Sequence, residues 1–123
     1  MNQPLFMFKK DLLYLDDILE SVHAILDYIE EMDFEAFTKD RKTYSATIRE
    51  FEIIGEAVSN LSIEIKNQHT EIEWQDIKDF RNILIHEYFG VDLELVWGVI
   101  INDLPKLINT VKSIKTKIDR SGF

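Results

Sequence analysis

The chain has 123 residues, of which 46% are hydrophobic and 30% charged, and its formal net charge is −9. That length suits one domain over residues 1–123 with a buried core, and the composition excludes a disordered chain. Cysteine is absent, so disulfides and thiolate metal sites are excluded, and no stretch approaches the ~20 apolar residues of a membrane span. The N-terminal Met-Asn-Gln-Pro-Leu-Phe-Met-Phe-Lys-Lys puts charge after a very short apolar run, the reverse of a secretory signal, so the expected compartment is the cytoplasm.

Four glycines and two prolines leave little material for a strand-rich fold, and apolar residues recur at spacings of three and four. A first helix is expected from about Lys9 to Met32, with Leu12, Leu15, Leu19, Val22, Leu26, Ile29 and Met32 on one face. Asp33 then caps a short turn through Phe37. A second helix runs from about Asp40 to Leu61 and buries Tyr44, Ile48, Phe51, Ile54, Val58 and Leu61. Gly55 interrupts that stripe at a cost of about 1 kcal/mol relative to Ala, which predicts close approach of another backbone, that of the third long helix. A short, weakly amphipathic segment covers Ser62 to His69. The third long helix begins near Glu73 and ends between His86 and Phe89, with Gly90 as its stop. Asp92 caps the last helix, whose apolar face is Val96, Ile100, Leu104, Leu107, Val111, Ile114 and Ile118. Pro105 sits inside that run and predicts a kink, because its ring displaces the bond to the Ile101 carbonyl. The expected fold is all-α, an up-and-down bundle of four main helices plus a short one.

Charge is unevenly spread. Residues 1 to 35 hold nine acids against Lys9 and Lys10, a net of −7. Residues 106 to 120 hold Lys106, Lys112, Lys115, Lys117 and Arg120 against Asp119, a net of +4. A solvated helix face accounts for either segment. The functional alternative is an acidic docking surface for a basic partner, and a basic tail in which Lys112, Lys115 and Lys117 guide RNA.

Residues 81 to 88 read Arg-Asn-Ile-Leu-Ile-His-Glu-Tyr, and they carry the chemistry. A cation, an imidazole and a phenol are costly neighbours for Ile83, Leu84 and Ile85 unless they have work to do. Arg81 is suited to clamp a phosphate, His86 to act as general base or acid near neutral pH, and Asn82 to support either through hydrogen bonds. A core ion pair and a satisfied core histidine form the competing reading. Arg49 and Glu56, about two helical turns apart, read as a structural ion pair, with a supporting role behind the site as the alternative. His23, His69 and His86 lie far apart with no second His at helical spacing, so neither metal nor cofactor is expected. Cleaving a phosphodiester without metal requires a base for the attacking hydroxyl, charge stabilisation at phosphorus and an acid for the leaving oxygen.

Helical geometry restricts how these groups meet. At about 100° per residue, Arg81 and His86 are about 140° apart around one helix, whereas Arg81 and Tyr88 share a face. Either the helix unwinds near Ile85, or two copies of the motif meet across a symmetric interface that also covers residues 83 to 85.

Arg-x4-His-x-Tyr with Asn after the Arg resembles the signature of the HEPN superfamily, in particular its HepT-like toxin branch. Ile-Ile-Gly-Glu-Ala at 53 to 57, Trp74, Tyr-Phe-Gly-Val-Asp at 88 to 92 and Asn-Asp-Leu-Pro at 102 to 105 are similar to that branch as well. The resemblance implies a homodimeric ribonuclease toxin paired with a minimal nucleotidyltransferase antitoxin. It also implies that Tyr88 is the acceptor of AMP from that partner, which would put phosphate charge beside Arg81. A non-catalytic HEPN-fold binding subunit of a nucleotidyltransferase complex is the alternative, and the acidic net charge favours it.

Overall fold

A computed structural model describes residues 9–86 and 90–119. The described residues form helices and connecting turns: α1 (Lys9–Tyr28), α2 (Phe34–Lys39), α3 (Arg41–Asn60), α4 (Ile63–Gln68), α5 (Trp74–His86), α6 (Leu93–Asn102) and α7 (Leu104–Asp119). The all-α class expected from periodicity is the class observed. The element boundaries differ in three places, each with a local cause.

α1 stops at Tyr28, short of the expected Met32. Tighter bonds from Glu30 to Asp27 and from Met32 to Ile29 close the chain into a turn, and Glu31 takes the left-handed conformation at φ 66°. The buried face of α1 is Leu15, Ile18, Ser21, Val22 and Ile25, while Leu26 is exposed. Two overlapping stripes at spacings of three and four run along this helix, and the packing of α3 and α7 selects the one containing Ile18 and Ile25. The Asp33 turn is a genuine short helix. Asp33 accepts from the Ala36 N–H at 2.8 Å, and Phe37 is fully buried, its ring 5.2 Å from that of Trp97 and 6.4 Å from that of Tyr44.

The third difference lies at Pro105. The expected kink is a full break, with α6 ending at Asn102 and α7 starting at Leu104. The Asp103 N–H still bonds to Val99, and the next backbone bond runs from Leu107 to Asp103. Proline is therefore the second residue of a new helix, where its missing N–H leaves no orphan. The apolar face predicted across this break is buried at every position, from Val96 to Ile118.

α3 is the central element, packed between α1 and α5, and α7 lies against α1 and α6. Side-chain caps fix the remaining starts. Asp40 accepts from Thr43 at 3.1 Å, Ser62 from Ile65 at 3.3 Å, and Asp92 from both Glu94 and Leu95 at 3.0 and 3.2 Å. Each such cap contributes ~1 kcal/mol. The start of α5 is held by a buried bond in which the Trp74 indole N–H donates to the His69 carbonyl at 3.0 Å. Among the described residues no helix is long and apolar enough to cross a membrane.

Candidate active site

α5 carries the motif and packs on α3, with Leu84 buried and the Phe80 ring edge-on to Phe51 at 5.1 Å. Arg81 lies on the margin of that packed side, and its stem runs over Gly55. A Cβ built on Gly55 would fall 2.4 Å from both Cβ and Cγ of Arg81. The third long helix does come close at this glycine as expected, but the nearest atoms are the side-chain stem of Arg81 and not the backbone.

The head of Arg81 is fixed one residue further along α3. Its Nη1 donates to Glu56 Oε2 at 3.0 Å, with the arginine side chain 21% exposed and the glutamate 65%. Arg81 Nε is buried and has no hydrogen-bond acceptor among the described residues. The expected pairing of Glu56 with Arg49 is not observed. Arg49 bonds instead to Glu52 at 3.3 Å, because three residues along a helix bring two long side chains together more readily than seven. Cross-helix packing gave Glu56 its partner, and no helical spacing encodes such a pair.

Around Arg81 lies a cleft of about 290 Å³ lined from three helices: Tyr14 and Asp17 of α1, Arg49, Glu52 and Glu56 of α3, and Arg81 and Ile85 of α5. His86 and Asn82 are not part of it. α5 is continuous through His86, so the helix does not unwind at Ile85. His86 is exposed, and so are Asn82 and Asp79 on the same side of the helix. One protomer thus brings Arg81 into a pocket and turns His86 outward, about 140° away around the axis and ~7.5 Å along it. Ile83 and Ile85 flank His86, 45% and 42% exposed. Tyr88 lies outside the described residues.

The three candidate lysines are on α7. Lys115 forms an ion pair with Asp16 of α1, so its charge serves the contact between the two helices. Lys112 is exposed. Lys117 is exposed too, and its charge acts on Glu71. The Glu71 carboxyl is held below its ordinary range, first by a backbone hydrogen bond, then by His69, whose Nδ1 lies 3.3 Å away, and by Lys117. His69 itself, in the α4–α5 connection, is buried.

On its other flank α5 borders an apolar cavity of about 380 Å³ against α6 and α7, floored by residues such as Phe51, Phe80, Val99 and Leu107 and edged by Glu73, Asp76 and Asp79.

No solved structure gives a significant match to this chain. Sequence relatives are clear. The chain is 40% identical over 114 residues to "Putative RNase MJ0127" of Methanocaldococcus jannaschii, covering 92% of this chain and 94% of that one. It is 44% identical over 94 residues to "Probable ribonuclease HepT" of Thermococcus cleftensis, covering 76% and 86%. A third relative, "Putative RNase TTE0752" of Caldanaerobacter subterraneus subsp. tengcongensis, is 39% identical over 104 residues, covering 85% and 93%. The family model described as Ribonuclease HepT-like matches residues 18–114, a span holding the Gly55 slot, all of α5 and the α3 and α5 sides of the Arg81 cleft, with Tyr14 and Asp17 of α1 before it. The chain belongs to the ribonuclease HepT-like family.

Proposed function

We propose that this protein is a metal-independent endoribonuclease, the toxin of a toxin–antitoxin pair, acting as a homodimer. The observation that carries the reading is the unbroken course of α5 through His86. Arg81 turns toward α3 and His86 turns to solvent, so a second copy supplies what one copy cannot. The exposed Ile83 and Ile85 give that copy an apolar surface to cover.

In such a cleft His86 takes the 2′-hydroxyl proton as that oxygen attacks phosphorus. The bond to the 5′-oxygen breaks, and His86 of the partner subunit returns a proton to the leaving group. Arg81 holds the phosphate and stabilises the charge that builds on it, with Asn82 in a supporting role. The products are a 2′,3′-cyclic phosphate and a 5′-hydroxyl. Tyr88 is the residue on which a minimal nucleotidyltransferase would place AMP, silencing the cleft. Lys112 and Lys117 of α7, about 140° apart around the helix, are the candidates for steering RNA; Lys115 is engaged by Asp16, and Lys117 also acts on Glu71. The reaction takes place in the cytoplasm, where RNA and the antitoxin are found together.

The test is expression in cells of the wild type beside His86→Ala, with sequencing of RNA ends. New ends carrying 5′-hydroxyls with the wild type alone are expected, and in vitro cleavage should persist in a chelator. The net charge of −9 favours a second reading, a binding subunit without cleavage, and equal RNA profiles from the two proteins would establish it.

A further inference from the structure

We infer that Glu56 is a positioning residue for Arg81, and that the Gly55-Glu56 pair on α3 is a preformed seat that aims the guanidinium at the RNA phosphate. The inference rests on the proposed role of Arg81 as the phosphate-binding cation. Two consecutive residues fix the two ends of one side chain. Gly55 admits the stem, because any Cβ would lie 2.4 Å from Arg81 Cβ and Cγ. Glu56 accepts from Nη1 at 3.0 Å, taking one of the five guanidinium donors, and with Nε buried it is the remaining Nη donors that are left for another anion. An arginine held at stem and head loses less freedom on gripping a phosphate than one free to rotate.

Glu56 is not placed as a fold-holding charge. Its side chain is 65% exposed, and an ion pair with one partner in solvent contributes little to stability. Arg81, by contrast, is 21% exposed, so its orientation depends on what its neighbours permit. A carboxylate at the mouth of a phosphate site repels the ligand at long range. Its presence there is explained if the geometry it imposes on Arg81 outweighs that repulsion in the transition state.

The experiment compares Glu56→Ala, Glu56→Gln and Arg81→Ala in the full chain, reading kcat and KM for RNA cleavage, RNA affinity in a His86→Ala background, and melting temperature. Glu56→Ala should lower kcat about tenfold to a hundredfold, the size expected when a reacting group is misplaced by about 1 Å. RNA affinity should change by less than about threefold or tighten, and the melting temperature should move by only about 3 °C. Glu56→Gln keeps an acceptor for Nη1 and should recover most of kcat. The Arg81 Nε–H resonance should be sharp in the wild type and in Glu56→Gln, and broadened in Glu56→Ala. That signature is read without catalysis, and Glu56→Gln carries the comparison if the alanine variant is insoluble. Glu56→Ala with wild-type kcat or a raised one, beside an inactive Arg81→Ala, would overturn the positioning role. So would equal losses in both Glu56 variants that track a lowered melting temperature. A fully active Arg81→Ala instead removes the underlying reading of the arginine, a separate failure.

Discussion

His86 stands five residues from Arg81 on one uninterrupted helix, exposed where Arg81 is largely covered. Under the proposed shared cleft, two groups so placed act on one phosphate because a second molecule contributes its own pair. If they work as a unit, Arg81→Ala or His86→Ala should each remove nearly all cleavage, and the double variant should cost little more. Initial rates on RNA decide it, with circular dichroism to confirm folding. Additive losses, or a fully active His86→Ala protein, would refute the assignment.

Ile85 lines the Arg81 cleft and is 42% exposed, so a charge there should be tolerated by the isolated protomer and not by an assembled one. Ile85→Glu should therefore be a folded monomer and inactive. Light scattering after size exclusion checks it. A wild type that is monomeric at micromolar concentration yet cleaves RNA would sink the shared cleft.

Gly55→Ala tests the slot from the other side. In an ordinary helix interior this change stabilises by about 1 kcal/mol. Here the new methyl meets the root of Arg81, not a flexible tip, so a loss of roughly 1–3 kcal/mol is expected. Urea denaturation gives the sign. A variant as stable as the wild type would show that the stem moves aside freely.

Asp11 is buried at 2% exposure and accepts from the Ser62 N–H at 2.8 Å, joining the first turn of α1 to the start of α4. Asp11→Ala leaves that N–H without its acceptor and should cost about 1–3 kcal/mol. Asp11→Asn retains an acceptor and should cost less. Thermal melts of the two variants distinguish a hydrogen-bond role from a charge role, since equal losses would point to the charge.

Under the regulatory reading of Tyr88, co-expression with a minimal nucleotidyltransferase should add mass in units of AMP and abolish cleavage. Phosphate charge beside Arg81 competes for the cation that holds substrate. Tyr88→Phe should resist the adduct and keep at least part of the activity. Intact-mass spectrometry settles it: an adduct that persists on the phenylalanine variant places the modification elsewhere.

Periodicity located the helices because their buried faces repeat at three and four, and the run from Val96 to Ile118 is the clearest case. It misjudged α1, where Leu19 and Leu26 compete with Ile18 and Ile25 for the same face and only the positions of α3 and α7 decide. Gly55 announced a close approach, since a mid-helix glycine is costly without one. The sequence could not show that Glu56 belongs to Arg81, because 25 residues separate them and the pairing depends on how α3 and α5 cross. Asp11 was silent for the same reason: an acid in a first turn reads as a favourable dipole contact until its burial is seen.

The bond from the Trp74 indole to the His69 carbonyl also makes α5 its own reporter. The chain has two tryptophans, and Trp97 sits apart, against Phe37 and Phe34. With Trp97 replaced by Phe, all indole emission would come from a ring 7% exposed at the root of the motif helix. Its wavelength and quenching would then register the seating of the start of α5 on the α4–α5 connection in real time, without any label near His86.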